Sequence, residues 1–224
     1  MRFLLATLAG ALLLAPAAAA PSALTPLPMP APAANAAAVP YAELEATVSA
    51  FNRHVGTWPP SFASEAERQA VYQRWSAALQ QAWALQARQG ASEDTLYLLA
   101  ELYRQGHNME VSDAGSRANT AVQSCLQQYP DSVRCHFSAS FFYLTIDPQF
   151  APQGEASLLR LRALLAPRVD MTVERGFVFA YLYQGRQAEA LAQLDYLLRL
   201  DPSLEWAHKL RAGLQEGPAH IKRQ

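Results

Sequence analysis

From Tyr41 onward, apolar residues recur every three or four positions with polar ones between them, and no stretch alternates in the β manner. Ala, Leu, Gln, Glu and Arg dominate, all good helix formers. The pattern is broken at Gly56–Pro60, Gly90, Gly106–Gly115, Pro130, Asp147–Gly154, Pro167, Gly185 and Pro202. Gly and Pro end helices, Pro because it lacks an N–H and clashes with the preceding turn. The segments between breaks predict about nine helices, mostly short antiparallel neighbours. Ser64 and Glu67 fit a capping box at the start of a long helix. The fold class is all-α.

The spacing of the breaks carries more. Pro130, Pro167 and Pro202 lie 37 and 35 residues apart, close to the period of about 34 that marks one family of helical repeats. At that period Tyr181, Gly185, Glu189, Ala190, Leu194, Leu197 and Pro202 fall into fixed slots. The stretch resembles one tetratricopeptide unit. In such a unit the Tyr packs between the paired helices, the Gly permits the turn, the small Ala lets helices approach, and the Pro stops the second helix. A second unit is similar but stretched: Leu96, Leu99, Ala100 and Tyr103 match its first helix, and Ala118, Val122, Cys125 and Pro130 its second. Tyr103 and Ala118 stand 15 residues apart where the family uses about 9, which implies an enlarged inner loop. A third unit has Ala139, Ser140 and Tyr143 in its first helix and Glu155–Ala166 as its second, ending at Pro167. Val178 departs from the pattern, standing where a small residue is usual.

The resemblance covers Asp94 to Gly217 and implies a helical-hairpin solenoid. Upstream, the end of the long helix Ser64–Gln89 serves as the second half of a degenerate unit. Downstream, Ser203–Leu214 carries Trp206, Leu210 and Leu214 on one stripe and suits a terminal capping helix.

The first forty residues differ from the rest. Met1 and Arg2, an apolar run from Phe3 to Leu14 and small residues to Ala20 follow the order of a secretory signal peptide. Roughly 12 apolar residues are too few to cross a bilayer, which needs about 20. Residues 1–20 are therefore expected to be a cleaved leader and 21–40, mostly Ala and Pro, an extended linker unable to bury an apolar face. The folded domain is 41–217 and the tail 218–224. No second hydrophobic run follows the leader, so no membrane span is expected after cleavage. With 18 Lys and Arg against 19 Asp and Glu, nothing points to nucleic acid. Localisation is expected to be periplasmic or secreted.

Catalytic and metal motifs are missing: there is no Gly-rich phosphate loop, G-x-S-x-G, H-E-x-x-H or C-x-x-C. The histidines His54, His107, His136, His208 and His220 are scattered singly, and Cys135 beside His136 points elsewhere on a helix. No enzyme activity, metal or cofactor is expected. Cys125 and Cys135 stand five residues either side of Pro130. If Pro130 marks a turn between antiparallel helices, they face each other, and an exported chain with two Cys favours a disulfide. The alternative is two buried thiols packed as small apolar residues.

In the tetratricopeptide family the first helix of each unit lines a concave face. The resemblance therefore places Asp94, Tyr97, Glu101 and Arg104 there from one unit, Arg134, Phe137, Phe141 and Leu144 from the next, and Thr172, Arg175, Phe179 and Tyr183 from the last. The Lys and Asn with which some members hold a peptide carboxylate are absent, since Glu101, Phe141 and Phe179 fill those slots. The groove reads as aromatic, with Arg134 and Arg175 as charged contacts. It implies a non-catalytic protein–protein interaction module of the bacterial cell envelope, a scaffold or assembly factor with a protein or peptide partner. The alternative is a periplasmic protein binding an apolar small molecule, associated with a solute transporter. Two further expectations concern access. The helix Tyr41–Arg53 either leaves the groove open or folds over it, and the loops Gly106–Gly115 and Asp147–Gly154 project with Met109 and Phe150 exposed.

Overall fold

The computed structural model describes residues 26–33, 39–57 and 59–217. The expected leader and the C-terminal tail lie outside them. Nine α-helices are present among the described residues: α1 (Tyr41–Val55), α2 (Glu65–Gln89), α3 (Glu93–Asn108), α4 (Ala114–Gln128), α5 (Val133–Ile146), α6 (Ala151–Leu165), α7 (Met171–Tyr183), α8 (Gln187–Leu200) and α9 (Glu205–Glu216). A 3₁₀ turn, Pro148–Phe150, leads into α6.

Local chemistry sets the starts. Ser64, Ser92 and Ser132 each accept a backbone N–H three residues on, and Asp170 accepts from Thr172 and Val173. These oxygens satisfy donors that the first helical turn leaves unpaired. Glu67 reaches back to the Ala63 N–H, so the capping-box reading holds, displaced by one position from the ideal. Gly185 sits at φ +71°, the left-handed turn between α7 and α8 that a Cβ disfavours.

The packing order is that of a tetratricopeptide-like solenoid. Each hairpin, α3–α4, α5–α6 and α7–α8, packs its first helix against both helices of the hairpin before it, while α9 caps α8. The same order extends one step upstream: α1 and α2 both pack against α3, and α1 lies against α2. The chain thus forms four hairpins and a cap among the described residues. The core runs along the array in consecutive clusters, centred on Trp75, Leu98 and Leu102, then on Leu158, Leu161 and Phe177, then on Leu194, Leu197 and Ala207.

Three expectations need correction. The loop at 106–115 is shortened to five residues, because α3 continues to Asn108 and α4 begins at Ala114. Met109 is fully buried, not exposed. The chain turns there through Glu110 and Asp113, both at φ 62°, a left-handed conformation that costs non-glycine residues about 1 kcal/mol each. At the second loop the 3₁₀ turn and α6 take up the residues, and Phe150 packs half-buried with its centroid 6.2 Å from that of Tyr143.

The third concerns the linker. Residues 26–33 are not a free tether. Leu27 is buried in the core and pairs with Val111 in an isolated parallel bridge. Composition predicted no buried apolar face here, and the segment supplies two side chains, Leu27 and Met29, that find one.

Candidate functional site

The odd-numbered helices line one side of the array. At its N-terminal end that side is closed. Arg104 of α3, only 6% exposed, donates to both carboxylate oxygens of Glu101, at 2.8 and 3.4 Å, to the Gly56 carbonyl at 2.7 Å and to Asn52 Oδ1 at 3.1 Å. Gln105 donates to the Val48 carbonyl and to Asn52, and Asn108 to the Val55 carbonyl. Ser138 of α5 donates to Glu101 at 2.9 Å. Helices α1, α3 and α5 are thereby tied by polar groups that answer one another, as burial demands, except the Gln105 Oε1, which is buried without a hydrogen-bond partner among the described residues. Helix α1 takes the place of a first repeat helix beside α3, and in doing so covers Glu101 and Arg104.

Above this network Arg134 of α5 bridges all three helices. It pairs with Glu45 of α1 and, at 2.7 Å, with Asp94 of α3. Its guanidinium stands 4.3 Å from the Tyr97 ring centroid and 5.2 Å from that of Tyr41. Burial, then the charges of Glu101 and Glu45, push the Tyr97 phenol up to about 12, so it stays protonated and neutral. Of the sequence-predicted site residues, Tyr97, Glu101 and Arg134 are thus spent on internal contacts. Neighbours that sequence spacing does not reveal, Tyr41 and Glu45 above all, occupy them.

The other end differs. Phe137 and Phe141 of α5 stack at 6.3 Å with planes 7° apart. On α7, Phe179 lies 6.5 Å from Tyr183 and stacks at 6.4 Å on Trp206 of α9. Spacing of i, i+4 puts each same-helix pair on one helix face. Phe137 and Tyr183 lean on the middle core cluster, whereas Phe141 and Phe179 remain partly exposed outside every buried cluster. Arg175, one turn before Phe179, is exposed and makes no ion pair, hydrogen bond or ring contact among the described residues. Trp206 belongs to this strip as well as to the cap, a double role that the sequence pattern did not separate.

Elsewhere, charged groups are used for structure. Glu174 is buried and held bidentate by Arg162, at 2.9 and 2.6 Å, and by Gln193 at 2.8 Å. Arg162 also stands 3.9 Å from the Phe177 ring centroid. Cys125 and Cys135 form a disulfide between α4 and α5 with Cα atoms 5.6 Å apart, both cysteines buried. Among the described residues no group of three or more His, Cys, Asp or Glu is placed to hold a metal ion, and no helix is long and apolar enough to cross a membrane.

No family model matches the sequence, and no curated protein matches it. Among solved structures, the chain is similar to the crystal structure of a thermophilic TPR protein from Thermus thermophilus, at 18% identity and a TM-score of 0.49, over 78% of this chain and 92% of that one. A likeness of that size adds no weight of its own. The hairpin order, the repeat residues in their slots and the capping helix make this a tetratricopeptide-like fold, an architecture that in general serves protein interaction rather than catalysis.

Proposed function

We propose that the chain is a non-catalytic interaction module of the bacterial cell envelope that takes an apolar segment of a protein partner along the strip Phe141, Arg175, Phe179 and Trp206, rimmed by Phe137 and Tyr183. One observation carries this reading. Arg104, Arg134 and the Tyr41 and Tyr97 rings at the N-terminal end are paired internally, whereas Phe141 and Phe179 stay partly exposed beside an Arg175 that has no partner among the described residues. Aromatic rings bury large areas at low entropic cost, and fully burying one contributes about 1.5–3 kcal/mol. Arg175 suits a partner with a carboxylate near its apolar residues. The leader-like start and the disulfide support an oxidising, exported setting.

Affinity capture from a cell-envelope extract tests this. The bait is the wild-type chain beside a Phe141→Asp/Phe179→Asp variant, which leaves the core-packed Phe137 in place. Both must show the same helical content and melting temperature. A protein retained by the wild type and lost by the variant supports the strip, whereas equal capture by both removes it as the site.

A further inference from the structure

Residues 26–33 occupy a groove in the way a bound peptide does. The segment reads Pro-Leu-Pro-Met-Pro-Ala-Pro-Ala, with proline at every second position. Its partners are the outer face of α2 and the turn between α3 and α4. The Leu27 N–H donates to the Glu110 carbonyl at 3.1 Å, and the Ser112 N–H donates to the Leu27 carbonyl at 2.9 Å. Tyr72 donates its hydroxyl to the Pro28 carbonyl at 2.6 Å. Gln80 grips the far end with both halves of its amide, donating to the Ala31 carbonyl and accepting the Ala33 N–H, each at 2.6 Å. Leu27 is 7% exposed, and Met29 packs half-buried against the same core cluster.

Every one of these hydrogen bonds goes to the segment's backbone. Its side chains offer no polar atom, so the groove reads an extended backbone and two apolar side chains. The prolines fit that demand. They fix φ near the extended value, and they remove N–H groups at positions 26, 28, 30 and 32, where no acceptor is used. Main-chain pairing for affinity with pockets for alternate side chains is how proteins bind peptides at a strand-like edge. Tyr72, Ser76 and Gln80 lie one turn apart on one α2 face. The Ser76 hydroxyl, between them on that face, is buried with no hydrogen-bond partner among the described residues, so a ligand that offers it one gains a contact the resident segment does not make.

We propose that this groove is a second peptide site, distinct from the aromatic strip, and that residues 26–33 are its resident ligand in cis. The intended occupant is a partner polypeptide carrying an extended, proline-alternating segment with a large apolar residue before proline. A second copy of this chain is a poor competitor. Its segment has the same intrinsic fit, whereas the resident one is tethered through residues 34–40 at an effective concentration on the order of millimolar. A partner that also satisfies Ser76 displaces it.

The test uses the full chain. Leu27→Asp puts a charge where a buried leucine sits and vacates the groove. A fluorescent peptide with the sequence of residues 24–34 is then titrated against the Leu27→Asp chain and the wild-type chain by anisotropy. The expected result is saturable binding to the Leu27→Asp chain, weakened about tenfold or more on the wild type by the tethered competitor. Binding is lost when Gln80→Ala is added to the chain or when the peptide carries Asp in place of the leucine that corresponds to Leu27. No saturable binding to a folded Leu27→Asp chain at about millimolar peptide overturns the proposal, the tether's own effective concentration being of that order. Equal binding to both chains also overturns it, because the peptide then sits elsewhere. If Leu27→Asp does not fold, a protease site placed within residues 34–38 of the wild type is cut instead, and exchange of the resident segment for labelled peptide is followed by native mass spectrometry. Exchange supports the site, and a resident segment that never exchanges overturns it. Concentration-dependent dimers that trade the segment between copies overturn the partner assignment in favour of a second copy.

Discussion

Replacing Arg104 by Met tests whether α1 is an integral helix of the array. The guanidinium is 6% exposed and its Glu101 partner 10%. Met keeps much of the stem volume but withdraws the donors from Glu101, the Gly56 carbonyl and Asn52. Asn52 keeps Gln105 and Glu101 keeps Ser138, so the main loss is a buried carboxylate with one neutral donor. Breaking a buried pair by removing one partner costs about 3–5 kcal/mol, a large share of a domain stability of about 5–15 kcal/mol. Urea unfolding followed by circular dichroism should show that loss with an unchanged slope. Changing Glu101 to Met as well removes the stranded charge and should recover at least about 2 kcal/mol. Hydrogen exchange in α1 should rise in the single variant more than in α7. A single-variant loss below about 1 kcal/mol, or additive costs in the double variant, refutes the reasoning.

Gly106→Ala should destabilise by about 1–2 kcal/mol despite the gain in helix propensity, because the new Cβ would stand 2.6 Å from Cζ2 of the fully buried Trp75. Gly213→Ala in α9 meets nothing within 4 Å and should stabilise by about 0.5–1 kcal/mol in the same unfolding assay. Replacing Cys125 and Cys135 by Ala opens a loop spanning a sequence separation of 10 and should cost about 2–3 kcal/mol, read as a lower melting temperature that reductant reproduces in the wild type. His107 should titrate below its ordinary 6.5 by NMR, since burial outweighs the attraction of Glu110. Below pH 6.5 the unfolded chain then takes up a proton that the folded one resists, so stability falls as pH drops from 6.5 to the folded pKa, and His107→Gln should flatten that fall.

The last repeat was legible because most of its slots serve packing or the turn between its helices. Ala190, Leu194 and Leu197 are fully buried and Gly185 holds the left-handed turn, so their spacing survives as a pattern. The first hairpin was not, because its helices begin 52 residues before α3 (Tyr41 against Glu93) and α2 alone runs 25 residues, which destroys the period. Gly106 and Gly154 misled for a physical reason. Both were read as helix breakers, yet they lie inside α3 and α6, where Trp75 and Leu144 approach too closely for a Cβ. Glu101 and Tyr97 were expected to face a partner, but only the fold shows that α1 and Arg134 occupy them. The docked segment at 26–33 was invisible to composition, because it is held chiefly through its backbone.

A partner lying along the strip of α5, α7 and α9 is tested most directly by site-specific photo-crosslinking in intact cells. A photoreactive phenylalanine in place of Phe141 is compared with one in place of Leu159, which is 51% exposed on α6. The prediction is a discrete protein adduct from position 141 and none from position 159. An adduct from position 159 with none from position 141 would contradict it.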